Sequence, residues 1–257
     1  MKTEFFAVFL FLMLINVINL VHGLDNRLPP SMKLCRRSLP TRDRNECIKD
    51  SINHFISIIG HGYPSLNLPD LDPYVIGEER FSVSEGIISM KLKIKNSLSK
   101  GVSKGQVRNV KSKITKDNFG VILDVAFPFL GGEGNYKGET RLNQIKVQSK
   151  GYFKLDVFKP SFKLKILGKI IKRNETEYVD IHTAKISDVS IDNLKVDING
   201  LLPEPELDQF AVEFVNQNWR ALYEQLVPRA SGAWEPIYFN VTKTIFDQIP
   251  LNELMPE

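Results

Sequence analysis

Hydrophobic positions along this chain follow two different periods. From Phe81 to Ile198 apolar and polar residues alternate, the pattern of strands with one buried and one wet face. Ile88, Met90, Leu92 and Ile94 alternate with Ser89, Lys91, Lys93 and Lys95. Phe119, Val121, Leu123, Val125, Phe127 and Phe129 form the clearest stripe, and Gly131, Gly132 and Gly134 after it read as a turn. Ile145 and Val147, then Phe153, Leu155 and Val157, then Phe162, Leu164 and Ile166 continue the alternation. Val179, Ile181, Val189, Ile191, Leu194, Val196 and Ile198 complete it.

The period then lengthens. Leu207, Phe210, Ala211, Phe214, Val215, Leu222 and Leu226 recur at helical spacing between Pro203 and Pro228. That predicts one amphipathic helix, entered after Pro203 and Pro205 and stopped at Pro228. Trp234, Ile237, Tyr238, Val241 and Ile245 share one face of a second helix. Earlier, Cys47, Ile48, Ile52, Phe55, Ile56 and Ile59 mark another, closed by Gly60 and Gly62. The connector after it holds Pro64, Pro69 and Pro73, which keep it extended, while Leu66, Leu68 and Leu71 require it to lie against the body. Strands followed by an apolar helical hairpin predict an α+β fold in which a sheet curls around helices. Such an arrangement has an apolar interior, able to hold an apolar ligand.

Residues 1–23 stand apart. Lys2, an apolar run from Phe5 to Leu14, then Val17, Ile18, Leu20 and Val21, ending at Gly23, read as a secretory signal peptide. A membrane anchor is the alternative, but Asn16 and Asn19 interrupt the run and its length is marginal. The rest, 24–257, has the length of one large domain or two small ones, and is expected to form one. In an exported chain the two cysteines, Cys35 and Cys47, read as a disulfide, since a metal or redox site needs more thiols or a closer histidine than His54. Closing so short a loop stabilises by roughly 3 kcal/mol on the chain-entropy account. Asn174-Glu175-Thr176 and Asn240-Val241-Thr242 are then glycan acceptors, at Asn174 and Asn240.

Charge excludes more than it suggests. A net charge of +4 and the absence of an aromatic-and-basic recognition motif give no argument for nucleic acid. The span Lys91–Lys116 carries nine basic residues and no acidic one. Its lysines alternate with apolar residues, so it reads as a solvated strand face; an anionic-surface site is the alternative. Gly131, Gly132 and Gly134 are not a phosphate loop, because no helix with lysine and hydroxyl follows. His54, His61 and His182 lie in unrelated settings, and there is no nucleophile elbow or zinc-protease helix. The expectation is a non-enzyme with no cofactor and no metal.

Three segments in order resemble one family. Cys35 and Cys47 precede an amphipathic helix and Gly62-Tyr63-Pro64-Ser65-Leu66-Asn67-Leu68-Pro69-Asp70-Leu71-Asp72-Pro73. Phe214-Val215-Asn216-Gln217-Asn218-Trp219 leads through Leu226-Val227-Pro228 to Ile245-Phe246 and Pro250. With the strand-rich middle between them, these resemble the insect takeout and haemolymph juvenile hormone binding proteins. The single cysteine pair is closer to takeout. The resemblance implies a long C-terminal helix wrapped by a strongly curved antiparallel β-sheet, enclosing an elongated apolar tunnel. It also implies a secreted, monomeric carrier of a small hydrophobic ligand, terpenoid or fatty, with no stable membrane insertion. A membrane-surface or lipopolysaccharide-binding defence protein of the same fold is the alternative, and an esterase a remoter one. Alternation alone nominates the ligand-binding residues: Val121, Leu123, Val125, Phe127, Phe129 and Phe153 from the strands, facing Phe210, Phe214, Trp234 and Tyr238 from the helices. Tyr152, Tyr178 and Tyr238 are candidates to orient a polar group of the ligand.

Overall fold

A computed structural model of the chain describes residues 28–85, 88–230 and 235–257. Residues 28–32 make a short turn closed by the Met32 N–H on the Pro29 carbonyl at 2.9 Å. The expected signal segment 1–23 and Trp234 lie outside the described residues. From Lys33 onward, helix α1 (Thr41–Ile58) is followed by nine strands. These are β1 (Tyr74–Glu85), β2 (Ile88–Lys100), β3 (Gln106–Ile114), β4 (Asn118–Ala126) and β5 (Phe129–Leu142). β6 (Ile145–Phe158), β7 (Ser161–Arg173), β8 (Thr176–Ser190) and β9 (Asn193–Ile198) complete them. The chain ends in α2 (Pro205–Gln217), α3 (Trp219–Ala230), α4 (Glu235–Gln248) and the single turn α5 (Leu251–Leu254).

All strand pairings are antiparallel, in two halves: β1-β2-β5-β6-β9 and β3-β4-β7-β8. The halves are joined by one bent ribbon. β4 runs into β5 through Pro128, and β6 runs into β7 through Pro160. Proline has no N–H to give the ladder, so the sheet turns a corner there. The corner is still hydrogen-bonded, with Phe127 N–H to the Pro160 carbonyl at 2.9 Å and Lys159 N–H to the Pro128 carbonyl at 3.1 Å. The bend also changes which way side chains point. Phe129 leaves the stripe of β4 and pairs with Phe158 on the other face, ring centroids 5.6 Å apart. The three glycines expected to form a turn lie inside β5 instead.

The four-stranded half holds the packed core. Its inward row, including Phe119, Val121, Leu123, Val125, Phe162, Leu164, Ile166, Val179 and Ile181, is buried under α1, α4 and α5. Aliphatic and aromatic side chains so buried each contribute roughly 1.5–3 kcal/mol. The disulfide Cys35–Cys47, Cα atoms 5.7 Å apart, pins the segment before α1 onto that helix, and both cysteines are buried. Leu66 and Leu68 are buried as the proline connector required.

Asparagines fasten helices to the free edges of both halves. Asn53 of α1 donates to the Val107 carbonyl at 2.9 Å and accepts from its N–H at 2.7 Å, standing in for a next strand on β3. Asn216 of α2 does the same to Val196 of β9, at 2.7 and 2.8 Å. Both devices satisfy exposed edge groups that would otherwise invite strand addition. Further along, the Tyr223 hydroxyl of α3 donates to the Val189 carbonyl at 2.9 Å, and Glu235 of α4 accepts from Ile186 N–H at 3.1 Å. The helices thus pass from β9 to β8, from one half to the other. The helix expected to run unbroken to Pro228 breaks at Asn218, whose side-chain amide donates to the Phe214 carbonyl at 2.9 Å and competes with the backbone. α3 then continues past Pro228 to Ala230.

Candidate functional site

The two halves differ in how completely their inward rows are covered. In the four-stranded half α4 closes the row: Phe119 meets Phe246 at 5.1 Å and Phe162 meets Tyr238 at 5.4 Å between centroids. In the five-stranded half the corresponding row crosses the strands as Ile198, Phe153 and Gly134, then Val196, Leu155 and Gly132, then Leu194, Val157 and Leu130. Further along the same face, Leu92 stands opposite Gly138 and Ile94 opposite Tyr136. Leu92, Ile94, Phe153, Leu155, Val157, Val196 and Ile198 are all only partly buried. The cause is local. The central strand β5 offers this face Gly132, Gly134 and Gly138, so little side-chain bulk fills the middle. A Cβ at Gly132 would find only the Leu155 Cβ within reach, at 3.9 Å, whereas Gly134 is needed where the backbone of Ser97 approaches to 3.0 Å.

Tyr136 floors this trough. Its hydroxyl donates to the Asn199 carbonyl at 2.8 Å, and burial pushes the phenol up to about 12. Tyr238, partly buried, lies close to the proline corner, since Phe162 beneath its ring pairs with Val125 just short of Pro160. Burial holds its phenol well above the usual range, and no described residue hydrogen-bonds its hydroxyl. Of the other tyrosine candidates, Tyr152 is exposed on the outer face, and the Arg173 guanidinium covers Tyr178, 5.0 Å from its ring centre.

The nominated residues therefore separate. Val121, Leu123, Val125 and Phe127 sit in the filled core, Phe153 in the trough, and Phe129 on the outer face. Phe210 and Phe214 do not face the β4 stripe. They lie 66% and 52% exposed on α2, together with exposed Leu207, because Asn216 holds that helix at the β9 edge and α4 occupies the place opposite β4. Asn174 is exposed in the β7–β8 turn, and Asn240 is exposed on α4.

Polar residues that no local pattern singled out fix the geometry. Asp208 anchors the start of α2 by accepting from the N–H groups of Gly200, Leu201 and Leu202 at 2.8, 2.7 and 3.0 Å. Burial works against its charge, but these three bonds win and hold the carboxyl below its usual value. Arg37 ties the N-terminal segment to Glu177 of β8 at 2.9 Å and to Glu257 at 2.6 Å. His182 makes a 3.0 Å contact between Nδ1 and Thr183 Oγ1, and His61 is exposed. Among the described residues no three His, Cys, Asp or Glu side chains converge as metal ligands, and no helix is long and apolar enough to cross a membrane.

Comparison with known proteins agrees with this architecture. A family model described as haemolymph juvenile hormone binding protein (JHBP) matches residues 8–256. Takeout 1 of Epiphyas postvittana has the same fold, with a TM-score of 0.70 at 18% identity, over 88% of this chain and 100% of that one. Lipopolysaccharide binding protein aligns with a TM-score of 0.35 at 11% identity, over 82% of this chain and 38% of that one. No curated protein sequence matches.

Proposed function

The chain belongs to the haemolymph juvenile hormone binding protein family, and we propose that it is a secreted, non-catalytic, monomeric carrier of a small hydrophobic ligand. The observation that carries this reading is the partly covered apolar trough of the five-stranded half, beside a four-stranded half whose equivalent row is filled. The ligand lies along Phe153, Leu155 and Val157 and extends toward the proline corner. There the Tyr238 hydroxyl, neutral and a donor, meets its polar end. α2 covers the trough from the β9 side, and Phe210 and Phe214 add apolar surface to that cover. The ligand is an elongated terpenoid or fatty molecule carrying a neutral acceptor, since a charged head would meet burial without a cation among the described residues.

Covering ~400 Å² of apolar ligand surface is worth roughly 10 kcal/mol gross. Association costs of several kcal/mol leave micromolar to nanomolar affinity. No chemistry is required beyond exclusion of water and one orienting hydrogen bond. Residues 1–23 act as the secretory signal, and Asn174 and Asn240 carry glycan. Sequencing the N-terminus of the native protein and treating it with a glycan-removing enzyme test those two points.

Binding is tested with a fluorescent apolar probe and a panel of terpenoid esters, terpenoid alcohols and fatty acids. Leu155→Trp should fill the trough and abolish displacement, while Phe129→Ala on the outer face should leave it unchanged. Displacement by no member of the panel, or full binding by a folded Leu155→Trp protein, would refute the assignment.

A further inference from the structure

Outward side chains of the five-stranded half come into register as rows across its strands. Arg80 stands opposite Lys93, Lys93 opposite Lys137, and Lys137 opposite Lys150. At the usual strand spacing of about 4.8 Å, these cations line up over roughly 14 Å. Like charges placed directly opposite one another destabilise a sheet, so this row works against the fold as it stands. The next row is Ser82, Lys91, Glu139 and Gln148. Both rows border one open cleft of about 740 Å³, floored by Leu92, Gly138 and Ser149.

Carboxylates neutralise only part of this charge. Glu78 holds Lys93 at 2.7 Å, Arg80 at 3.0 Å and Lys95 at 3.4 Å. The Lys93 bond first, then the Arg80 bond, take its carboxyl down to about 2, so it stays ionised. Glu139 is engaged by Arg141 and Lys146. Among the described residues no carboxylate lies within ion-pair distance of Lys91, Lys137 or Lys150. Three unneutralised cations thus share one cleft.

We propose that this cleft is a second binding site, for a linear polyanion: a sulfated polysaccharide chain. A row of cations at even spacing in a concave cleft suits a chain with repeating charges. Ser82 and Gln148 add hydrogen-bond donors between the cations. Among the described residues no aromatic ring lines the cleft to stack a nucleic-acid base, and none of the large exposed hydrophobics lies there to enter a bilayer. The disulfide belongs to an oxidising compartment, where sulfated glycans are the polyanions on offer. The opposite face of these same strands is the proposed trough, so a tethered protein keeps its ligand side free.

The test is titration of the full-length secreted protein with a heparin octasaccharide at rising salt, beside the triple variant Lys91→Gln, Lys137→Gln, Lys150→Gln. Lys111→Gln, Lys165→Gln, Lys185→Gln is the control. It removes equal charge from the outer face of the other half, at the row Lys111, Ile122, Lys165 and Lys185. Wild type should bind at low salt and weaken steeply with added salt, because exposed charges are screened. The cleft variant should bind about tenfold or more weakly, near the 1.4 kcal/mol that a factor of ten represents. The control should bind as wild type, and all three should hold an apolar probe equally. Equal loss in control and cleft variants would reduce the effect to net charge and overturn the site. Stronger, cleft-dependent binding to phosphatidylserine vesicles or to a single-stranded oligonucleotide would overturn the choice of ligand. No binding at low salt would end the proposal.

Discussion

Replacing Asn216 by Ala should open the ligand site without unfolding the protein. The amide bridges the N–H and carbonyl of Val196 at 2.8 and 2.7 Å, on the edge strand β9. A neutral hydrogen bond is worth about 0.5–1.5 kcal/mol net, so losing two weakens the hold of α2 on β9 by roughly 1–3 kcal/mol. That corresponds to a roughly 5- to 150-fold rise in the open population. Asp208 still fixes the start of α2, so the change is a loosening rather than a release. Hydrogen exchange should quicken in β9 and α2 and stay unchanged in β4 and β7. Ligand dissociation, followed by stopped-flow displacement of an apolar probe, should quicken by a similar factor. Asn53→Ala is the matched control: it makes the same pair of bonds, to Val107, but over the filled core. It should lower global stability by roughly 1–3 kcal/mol, about 2–4 °C in Tm for each kcal/mol, and leave ligand dissociation alone. The reasoning fails if Asn53→Ala speeds ligand release and Asn216→Ala does not, because the ligand would then sit in the other half.

Three more outcomes are expected. The folded Asp208 carboxyl titrates below its unfolded value, so its contribution is present above about pH 4 and is lost as pH falls through the folded value; urea melts at pH 6 and pH 3 should therefore differ less for Asp208→Asn than for wild type. Gly151→Ala would place a Cβ 2.0 Å from the Asn199 carbonyl oxygen, a backbone atom with little room to give, and should lower the urea midpoint by an amount equivalent to ~1–3 kcal/mol. Cys35 and Cys47 should resist alkylation in the non-reduced protein, and reduction should cost roughly 3 kcal/mol by thermal melting.

Much of the fold was legible because a strand period of two and a helical period near 3.6 survive in any tertiary context. The buried rows of β4 and β7 and the apolar face of α1 follow directly. The site was less legible, for identifiable reasons. Phe129 keeps the parity of the β4 stripe, and only the corner at Pro128 turns it outward. Gly132 and Gly134 look like turn residues to any local rule, and their role as the empty middle of a trough depends on which strands flank β5. The amphipathicity of α2 showed in Phe210 and Phe214, but not that Asn216 would hold the helix at the β9 edge. Asn53, Asn216 and Asp208 act on backbone groups of other elements, and nothing periodic marks them. Lys91 and Lys93 were visible as a basic run, whereas Arg80, Lys137 and Lys150 join them only through register.

The most direct test of the carrier assignment is native mass spectrometry of protein purified from its natural source. The expected spectrum shows the disulfide-bonded chain with one neutral small molecule bound. Organic extraction should remove that molecule, and the stripped protein should take it up again in wild type but not in Leu155→Trp. A chain that arrives without any small molecule, and takes up none from a broad terpenoid and fatty panel, would contradict the account.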